Sequence, residues 1–131
     1  MNTNIDAGYP MNLFTWLFLG HLLGDWVLQN DWMAQNKQSA LLNTSCLIHC
    51  IIYTITLTVA LLLGRPISYT PTQFSLFFVL IFVSHYLIDA TNAAGAWSQF
   101  FRQSKSIFVR IVVDQTFHLV VIAALIELLL V

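Results

Sequence analysis

Four apolar segments divide the chain, and short polar connectors separate them. The segments cover about residues 11–29, 41–63, 74–90 and 107–131. Each approaches or exceeds the roughly 20 residues that an α-helix needs to cross the hydrocarbon core of a bilayer. The pattern therefore predicts an all-α polytopic membrane protein, in which residues 1–131 form a single domain. The predicted architecture is an antiparallel bundle of four transmembrane helices.

Seven His and Asp side chains interrupt these apolar segments, and six of them form pairs four residues apart. The pairs are His21/Asp25, His85/Asp89 and Asp114/His118, while His49 stands alone. Residues at i and i+4 share one helical face. Because consecutive spans run antiparallel, all seven fall toward the same membrane face, roughly 3–17 Å inside it at about 1.5 Å per residue. Ionisable groups in a membrane rarely face lipid, so we expect one buried functional site on the bundle axis.

The composition excludes several classes of protein. Only 8% of the residues are charged and 58% are hydrophobic, which is too little polar surface for a soluble domain. The net charge of -1 and the lack of a basic patch exclude nucleic acid as a partner. Cys46 and Cys50 have the spacing of neither a redox motif nor a zinc ribbon, and we expect buried thiols.

The distribution of basic residues predicts the orientation. Lys37, Arg102 and Lys105 flank the side that carries the His and Asp residues, and Arg65 lies on the opposite side. The positive-inside rule then predicts an inner (cytoplasmic) membrane protein with the site on the cytoplasmic side and both termini outside. Besides the lipid bilayer, the expected partners are further copies of the chain or a larger membrane complex, since four helices enclose little volume.

Four imidazoles and three carboxylates in a low-dielectric pocket suit a divalent metal, which offsets charges that would otherwise repel. They exceed what one tetrahedral zinc needs and fit either two ions or one ion with Asp residues orienting the His rings, the metal being Zn, Mn or Fe. The predicted ligands are His21, Asp25, His49, His85, Asp89, Asp114 and His118. Asp25 and Asp114 are the predicted catalytic residues, because an uncoordinated carboxylate can act as general base. Haem is disfavoured, since its sites seldom place an Asp beside each His.

The leading functional hypothesis is a metal-dependent hydrolase that acts on a lipid-like or membrane-presented substrate at the cytoplasmic leaflet. Two alternatives stay open. One is a non-enzymatic protein that conducts protons or ions through a chain of Asp and His residues. The other is a structural subunit of a larger complex, with His–Asp hydrogen bonds holding its helices together.

Other polar and aromatic residues carry narrower predictions. Asn30 and Asn92 are expected to cap helices. Gln115 is expected to point away from the face of Asp114 and to make a helix–helix hydrogen bond. Arg110 could pair with Asp114, bind a phosphate or extend to the membrane interface, the last being the simplest interpretation. Tyr53 is expected to pack in the core.

Aromatic residues in the third connector repeat at helical spacing. Trp97, Phe100 and Phe101 stand among polar residues there. This pattern predicts either a short amphipathic helix that lies on the membrane and partly covers the site, or a solvated loop.

The ordered motifs HLLGDWVLQ (21–29), DWMAQNK (31–37), HYLID (85–89) and DQTFHL (114–119), with His49 between them, resemble a family of small bacterial and phage membrane proteins classed as a domain of unknown function. The resemblance spans nearly the whole chain and implies a four-helix membrane bundle. More distantly, HLLGD is similar to the opening of the membrane-bound metal-dependent hydrolases, which implies His21 and Asp25 as metal ligands. A further His-rich motif of those hydrolases is missing here. The chain also lacks the H-x3-H boxes of membrane di-iron desaturases, which argues against oxygen chemistry.

Overall fold

A computed structural model describes residues 11–64, 69–103 and 105–130, which form helices joined by turns and, within those ranges, no strand. The helices are α1 (Leu13–Leu22, continued by a π-helical turn, Leu23–Val27), α2 (Asp31–Asn36), α3 (Thr44–Gly64), α4 (Pro71–Ala90), α5 (Ala93–Phe100) and α6 (Ile107–Leu125, continued by a π-helical turn, Ile126–Leu130). The prediction of an all-α fold is confirmed.

In the part of the chain that the structure describes, three helices are long and apolar enough to cross a membrane: α3, α4 and α6 with its π-helical turn. The first apolar helix, Leu13–Val27, is shorter than the predicted span 11–29. At about 1.5 Å per residue it measures roughly 22 Å, against about 30 Å for the hydrocarbon core. Length and composition therefore confirm three of the predicted spans.

Capping interactions move two helix starts away from their predicted positions. The Thr70 hydroxyl accepts from the backbone N–H of Gln73 at 3.1 Å, and the Gln73 amide oxygen accepts from the N–H of Thr70 at 3.0 Å. This capping box starts α4 at Pro71 instead of residue 74, so Pro71 is a first-turn residue and not part of a turn outside the helix. Asn43 accepts from the N–H of Cys46 at 2.8 Å, and α3 accordingly begins at Thr44 instead of residue 41.

The connector between α1 and α3 and the connector between α4 and α6 each contain a short helix. Asn30 caps α2, and Asn92, in the left-handed conformation with φ of 50°, caps α5. Both capping predictions are confirmed, whereas α2 itself was not predicted. In α5, Trp97 and Phe100 are exposed while the opposite side is buried, so this connector forms the short amphipathic helix and not the loop.

Two glycines bring α1 close to α3. A Cβ atom at Gly20 would lie 2.7 Å from Cβ of Ala60, and one at Gly24 would lie 3.0 Å from Cα of Tyr53 and overlap the hydroxyl of Thr56. Gly20 thus lies beside Ala60 and Gly24 beside Tyr53, so residue numbers rise along α1 where they fall along α3. These two helices are therefore antiparallel. Small residues four apart allow this backbone approach.

The bundle closes because α6 packs against both α4 and α1. At one end of the α4–α6 contact, the Gln73 amide donates to the Leu129 carbonyl at 2.9 Å. At the other end, Asp89 approaches His118. These helices are therefore antiparallel as well.

The interior divides into an apolar end and a polar end. The apolar core consists of Leu13, Leu17, Tyr53, Leu57, Ala60, Leu61, Phe77, Ile81, Ile122 and Leu130. The outer surface is also apolar: in the most hydrophobic stretch of α6, only 17% of the residues are buried within the chain. Helices that remain apolar on their outer faces are suited to contact with lipid.

We predict that Gly20→Ala destabilises the protein by about 1–3 kcal/mol, the usual cost of overpacking a close contact. The added methyl group meets Ala60 and the backbone carbonyl of Thr56. Thermal unfolding in detergent measures the effect. The double variant Gly20→Ala/Ala60→Gly should lose less stability than the two single variants together, and strict additivity would contradict the proposed contact.

Candidate metal centre

The seven predicted residues lie at the polar end of the bundle, on α1 with its π-helical turn, α3, α4 and α6. Six of them are buried, with at most 2% of each residue exposed, and Asp114 is partly buried. The residues are His21 and Asp25 (α1 and its π-helical turn), His49 (α3), His85 and Asp89 (α4), and Asp114 and His118 (α6). The π-helical turn carries Asp25, and such turns occur often at functional sites.

Asp25, His49, His85 and Asp89 form a first group whose donor atoms all lie within 4.8 Å of one another. His49 Nε2 is 3.1 Å from Asp25 Oδ1 and 3.3 Å from Asp89 Oδ2. His85 Nε2 is 3.0 Å from His49 Nε2, 3.6 Å from Asp89 Oδ2 and 3.9 Å from Asp25 Oδ1. Ligands bound at about 2.0–2.1 Å to a tetrahedral ion are separated by about 3.3 Å. These four side chains could therefore hold a metal ion.

Asp25, Asp114 and His118 form a second group that could hold an ion. The Nδ1 atom of His118 donates to the Asp114 carbonyl oxygen at 2.8 Å, so Nε2 is the ring nitrogen left to bind a metal. That Nε2 lies 3.7 Å from Asp89 Oδ1. Both atoms are buried and have no hydrogen-bond partner among the described residues. A buried imidazole nitrogen and a buried carboxylate oxygen are both atom types that bind a metal ion.

Lys37 adds a positive charge that the sequence pattern did not assign to the site. Its ammonium is 3.0 Å from Asp89 Oδ2, and 16% of its side chain is exposed. Burial favours the neutral amine, but the carboxylates of Asp89, Asp25 and Asp114 outweigh it and raise the pKa of Lys37 above its usual range. With neutral imidazoles, three carboxylates and one ammonium leave two negative charges. A divalent ion would balance them.

His21 belongs to neither group. It contacts Tyr53 and Gln115, for which the sequence predicted only core packing and a helix–helix hydrogen bond. Its Nδ1 is 3.0 Å from the Tyr53 hydroxyl and its Nε2 is 2.8 Å from Gln115 Oε1. The Gln115 amide donates to Asp25 Oδ2 at 2.6 Å and to Asp114 Oδ2 at 3.3 Å. The predicted helix–helix hydrogen bond of Gln115 is confirmed, but its predicted orientation away from Asp114 is wrong.

Tyr53 does more than pack in the core. Its ring stacks on His85, with centroids 3.7 Å apart, while its hydroxyl meets His21. Cys46 and Cys50 are buried free thiols, as predicted, and belong to neither metal-capable group among the described residues.

A cavity of about 700 Å³ opens beside the two groups. Asp25, Asp114 and Gln115 form part of its wall, and Lys37 and Arg110 face it from other positions. The wall is therefore shared between metal-capable side chains and basic residues. Of the seven predicted site residues, Asp25 and Asp114 are the two that line this cavity.

Fold and site define the class of protein: a small helical bundle with apolar outer faces and a buried His/Asp cluster that could bind a metal. Over residues 13–131 the chain matches the family described as "Protein of unknown function (DUF3307)", and it belongs to that family. No curated protein and no solved structure matches it. The resemblance to an uncharacterised family is thereby confirmed, and the more distant similarity to hydrolases stays a prediction.

We predict that Lys37→Met lowers the stability of the metal-free protein by roughly 3 kcal/mol, because it leaves the buried Asp89 carboxylate without its ammonium partner. Adding Zn²⁺ or Mn²⁺ should recover part of this loss. Chemical unfolding in detergent, with and without metal, measures both effects.

The matched control is Lys105→Met, which removes an exposed lysine and should change stability by less than about 0.5 kcal/mol. Equal stability of the two variants would contradict a structural role of the Lys37–Asp89 pair.

Proposed function

We propose that the protein is a membrane-embedded metal-dependent hydrolase that acts on a lipid-like or membrane-presented substrate at the cytoplasmic leaflet. The observation that carries this proposal is the convergence of ligand atoms from Asp25, His49, His85 and Asp89 within 4.8 Å, with Asp25 also lining an open cavity. Structural metal sites are closed by protein ligands, whereas catalytic sites keep a position open for water or substrate. A metal site beside a cavity can keep such a position open, as a catalytic site does.

In this proposal, Asp25, His49, His85 and Asp89 hold one divalent ion of Zn, Mn or Fe. Asp114 and His118, together with Asp25, hold a second ion or orient the first group. His21 acts from outside through Gln115, which fixes the carboxylate of Asp25. When bound, the metal supplies a Lewis acid and lowers the pKa of a water molecule.

Asp114 is the residue that we assign to accept a proton from the attacking water. Its side chain is 22% exposed, whereas those of Asp25 and Asp89 are 2% and 0% exposed. It also lines the cavity, where a water molecule and a substrate can reach it. Gln115, at 3.3 Å, holds its carboxylate in place. Asp25 shares the cavity wall and stays fixed between His49 and Gln115.

The apolar half of the bundle argues against proton or ion conduction. The polar cluster ends at His21 and Tyr53, and the side chains that follow are Leu17, Leu57, Leu61, Phe77, Ile81 and Ile122, each at most 1% exposed. A conduction path needs polar groups or water across the whole membrane. This arrangement supports a site that opens at one end of the bundle, rather than a path through it.

The helix packing and the basic residues support a proposed membrane arrangement. We infer that the first apolar helix, Leu13–Val27, also enters the membrane as the fourth span, since it closes the bundle between α3 and α6. The cluster end, which carries Lys37, Arg102 and Lys105, then faces the cytoplasm. The exposed apolar faces of α4 and α6 suit lipid, a second copy of the chain or a larger membrane complex.

We predict that protein purified in mild detergent without chelator contains near-stoichiometric metal and that His85→Ala loses it, because His85 is a member of the first group. His21→Gln should keep its metal stoichiometry and bind about 10- to 100-fold more weakly at most, as expected for a residue outside the ligand shell. Elemental analysis measures the content. No metal in the wild-type protein would refute the proposed function.

Hydrolysis is tested on the same samples. Metal-loaded wild-type protein in liposomes of bacterial lipid extract should release a product detectable by mass spectrometry, and Asp114→Asn should abolish release while retaining the metal ion of the first group. Release that persists in His85→Ala would point to a contaminating enzyme.

We predict that alkaline phosphatase fused after α6 is active and that a fluorescent protein fused there in a separate strain is dark, because the C-terminal end lies outside. A fusion within the connector between α1 and α3 should give the reverse pattern. The opposite result would place the site on the outer face.

A further inference from the structure

Arg110 lines the cavity on its basic side. It is half-buried on the first turn of α6 and lines the cavity. Its guanidinium makes no hydrogen bond or ion pair with any residue in the described part of the chain, although Asp114 follows four residues later on the same helix. A partly buried guanidinium has five donors in a planar fork that matches a phosphate. Donors held free at a cavity wall are suited to a ligand.

The remaining polar wall fits the same kind of ligand. Lys37 provides a second cation, and Gln29, Gln38 and Asn92 add amide groups that can donate to oxygen atoms. The carboxylates of Asp25 and Asp114 repel an anion unless a divalent ion neutralises them. The charge pattern is therefore that of a site in which basic side chains and a metal share one anionic group.

The apolar wall of the cavity is exposed on the outer surface of the bundle. Trp26 and Ile107 line it and remain 55% and 73% exposed, and Ile111 continues this surface along α6. In a chain that spans a membrane, exposed side chains of this kind contact acyl chains. A ligand with a polar head in the cavity could thus leave its tail in lipid.

We propose that this cavity binds a phosphate group carried by an amphiphile, with Arg110 holding the phosphate oxygens and Trp26, Ile107 and Ile111 flanking the tail. The proposal rests on the proposed function, since it names the substrate class of the same site. Arg110 is a binding residue in this scheme, and Lys37 keeps its pairing with Asp89 while adding positive charge to the wall.

The test uses full-length, metal-loaded protein in a neutral detergent and dodecylphosphonate, a non-hydrolysable probe. Isothermal titration should show binding to the wild type and affinity about 10- to 100-fold lower for Arg110→Gln, the loss expected for one charge-assisted interaction. Arg102→Gln, which removes an exposed arginine of the neighbouring connector, is the matched control and should bind as the wild type does. Arg110→Lys keeps the charge but lacks the planar guanidinium, so its affinity should lie between those of the wild type and Arg110→Gln. This variant keeps the test decisive if Arg110→Gln does not fold.

Three results would overturn the proposal. Equal affinity of the wild type, Arg110→Gln and Arg110→Lys would show that Arg110 only extends to the membrane interface. Equally tight binding of dodecanol would show that the phosphonate group is not recognised. Equally tight binding of methylphosphonate would show that no amphiphile is required. Metal content, measured on the same samples, tests the proposed function independently of these affinities.

Discussion

The carboxylate of Asp89 is the group on which the polar half of this bundle depends. One of its oxygens lies 3.0 Å from the ammonium of Lys37 and 3.3 Å from His49, and the other faces His118 at 3.7 Å. Its side chain is fully buried, so each of these contacts compensates for the loss of water around a charge. The connector that carries Lys37 and the helices α3 and α6 are thereby all in contact with this one carboxylate. A bundle this poor in charge can bury such a group only by surrounding it with partners.

Close approach of two helices makes this arrangement possible. Gly20 and Gly24 let α1 lie against α3 without intervening side chains, which sets His21 beside Tyr53 and Asp25 beside His49. Large residues at these glycines would separate the helices and pull Asp25 out of the first group. The same contact that packs the fold therefore positions a metal-capable ligand, so stability and site geometry are linked through the α1–α3 interface.

Much of the candidate site was predictable because helical periodicity and the position of a residue within an apolar segment are both local properties of the sequence. Pairs four residues apart must share a face, and antiparallel spans must bring His21, His49, His85 and His118 to one end. Lys37, Gln115 and Tyr53 escaped this reasoning for different physical reasons. Lys37 reaches Asp89 across 52 positions of sequence from a polar connector, where no periodicity marks it.

Gln115 and Tyr53 were assigned from their own helices alone. The Gln115 side chain is long enough to reach around α6 to His21 and Asp25, which the angular position of its Cα does not reveal. The sequence predicted a packing role for Tyr53, and its ring does pack on His85. Only the contact of its hydroxyl with His21 shows that Tyr53 also belongs to the polar network.

The sequence alone determined the helical class, the apolar outer faces, the positions of the ionisable residues within apolar segments and the family resemblance, since each depends on residue type and spacing along one chain. Tertiary structure decided which donor atoms converge, that His21 stays outside both metal-capable groups, and that Arg110 faces a cavity instead of pairing with Asp114. Those outcomes depend on side-chain reach and helix rotation across contacts between distant segments. No pattern along a single chain specifies distances of that kind.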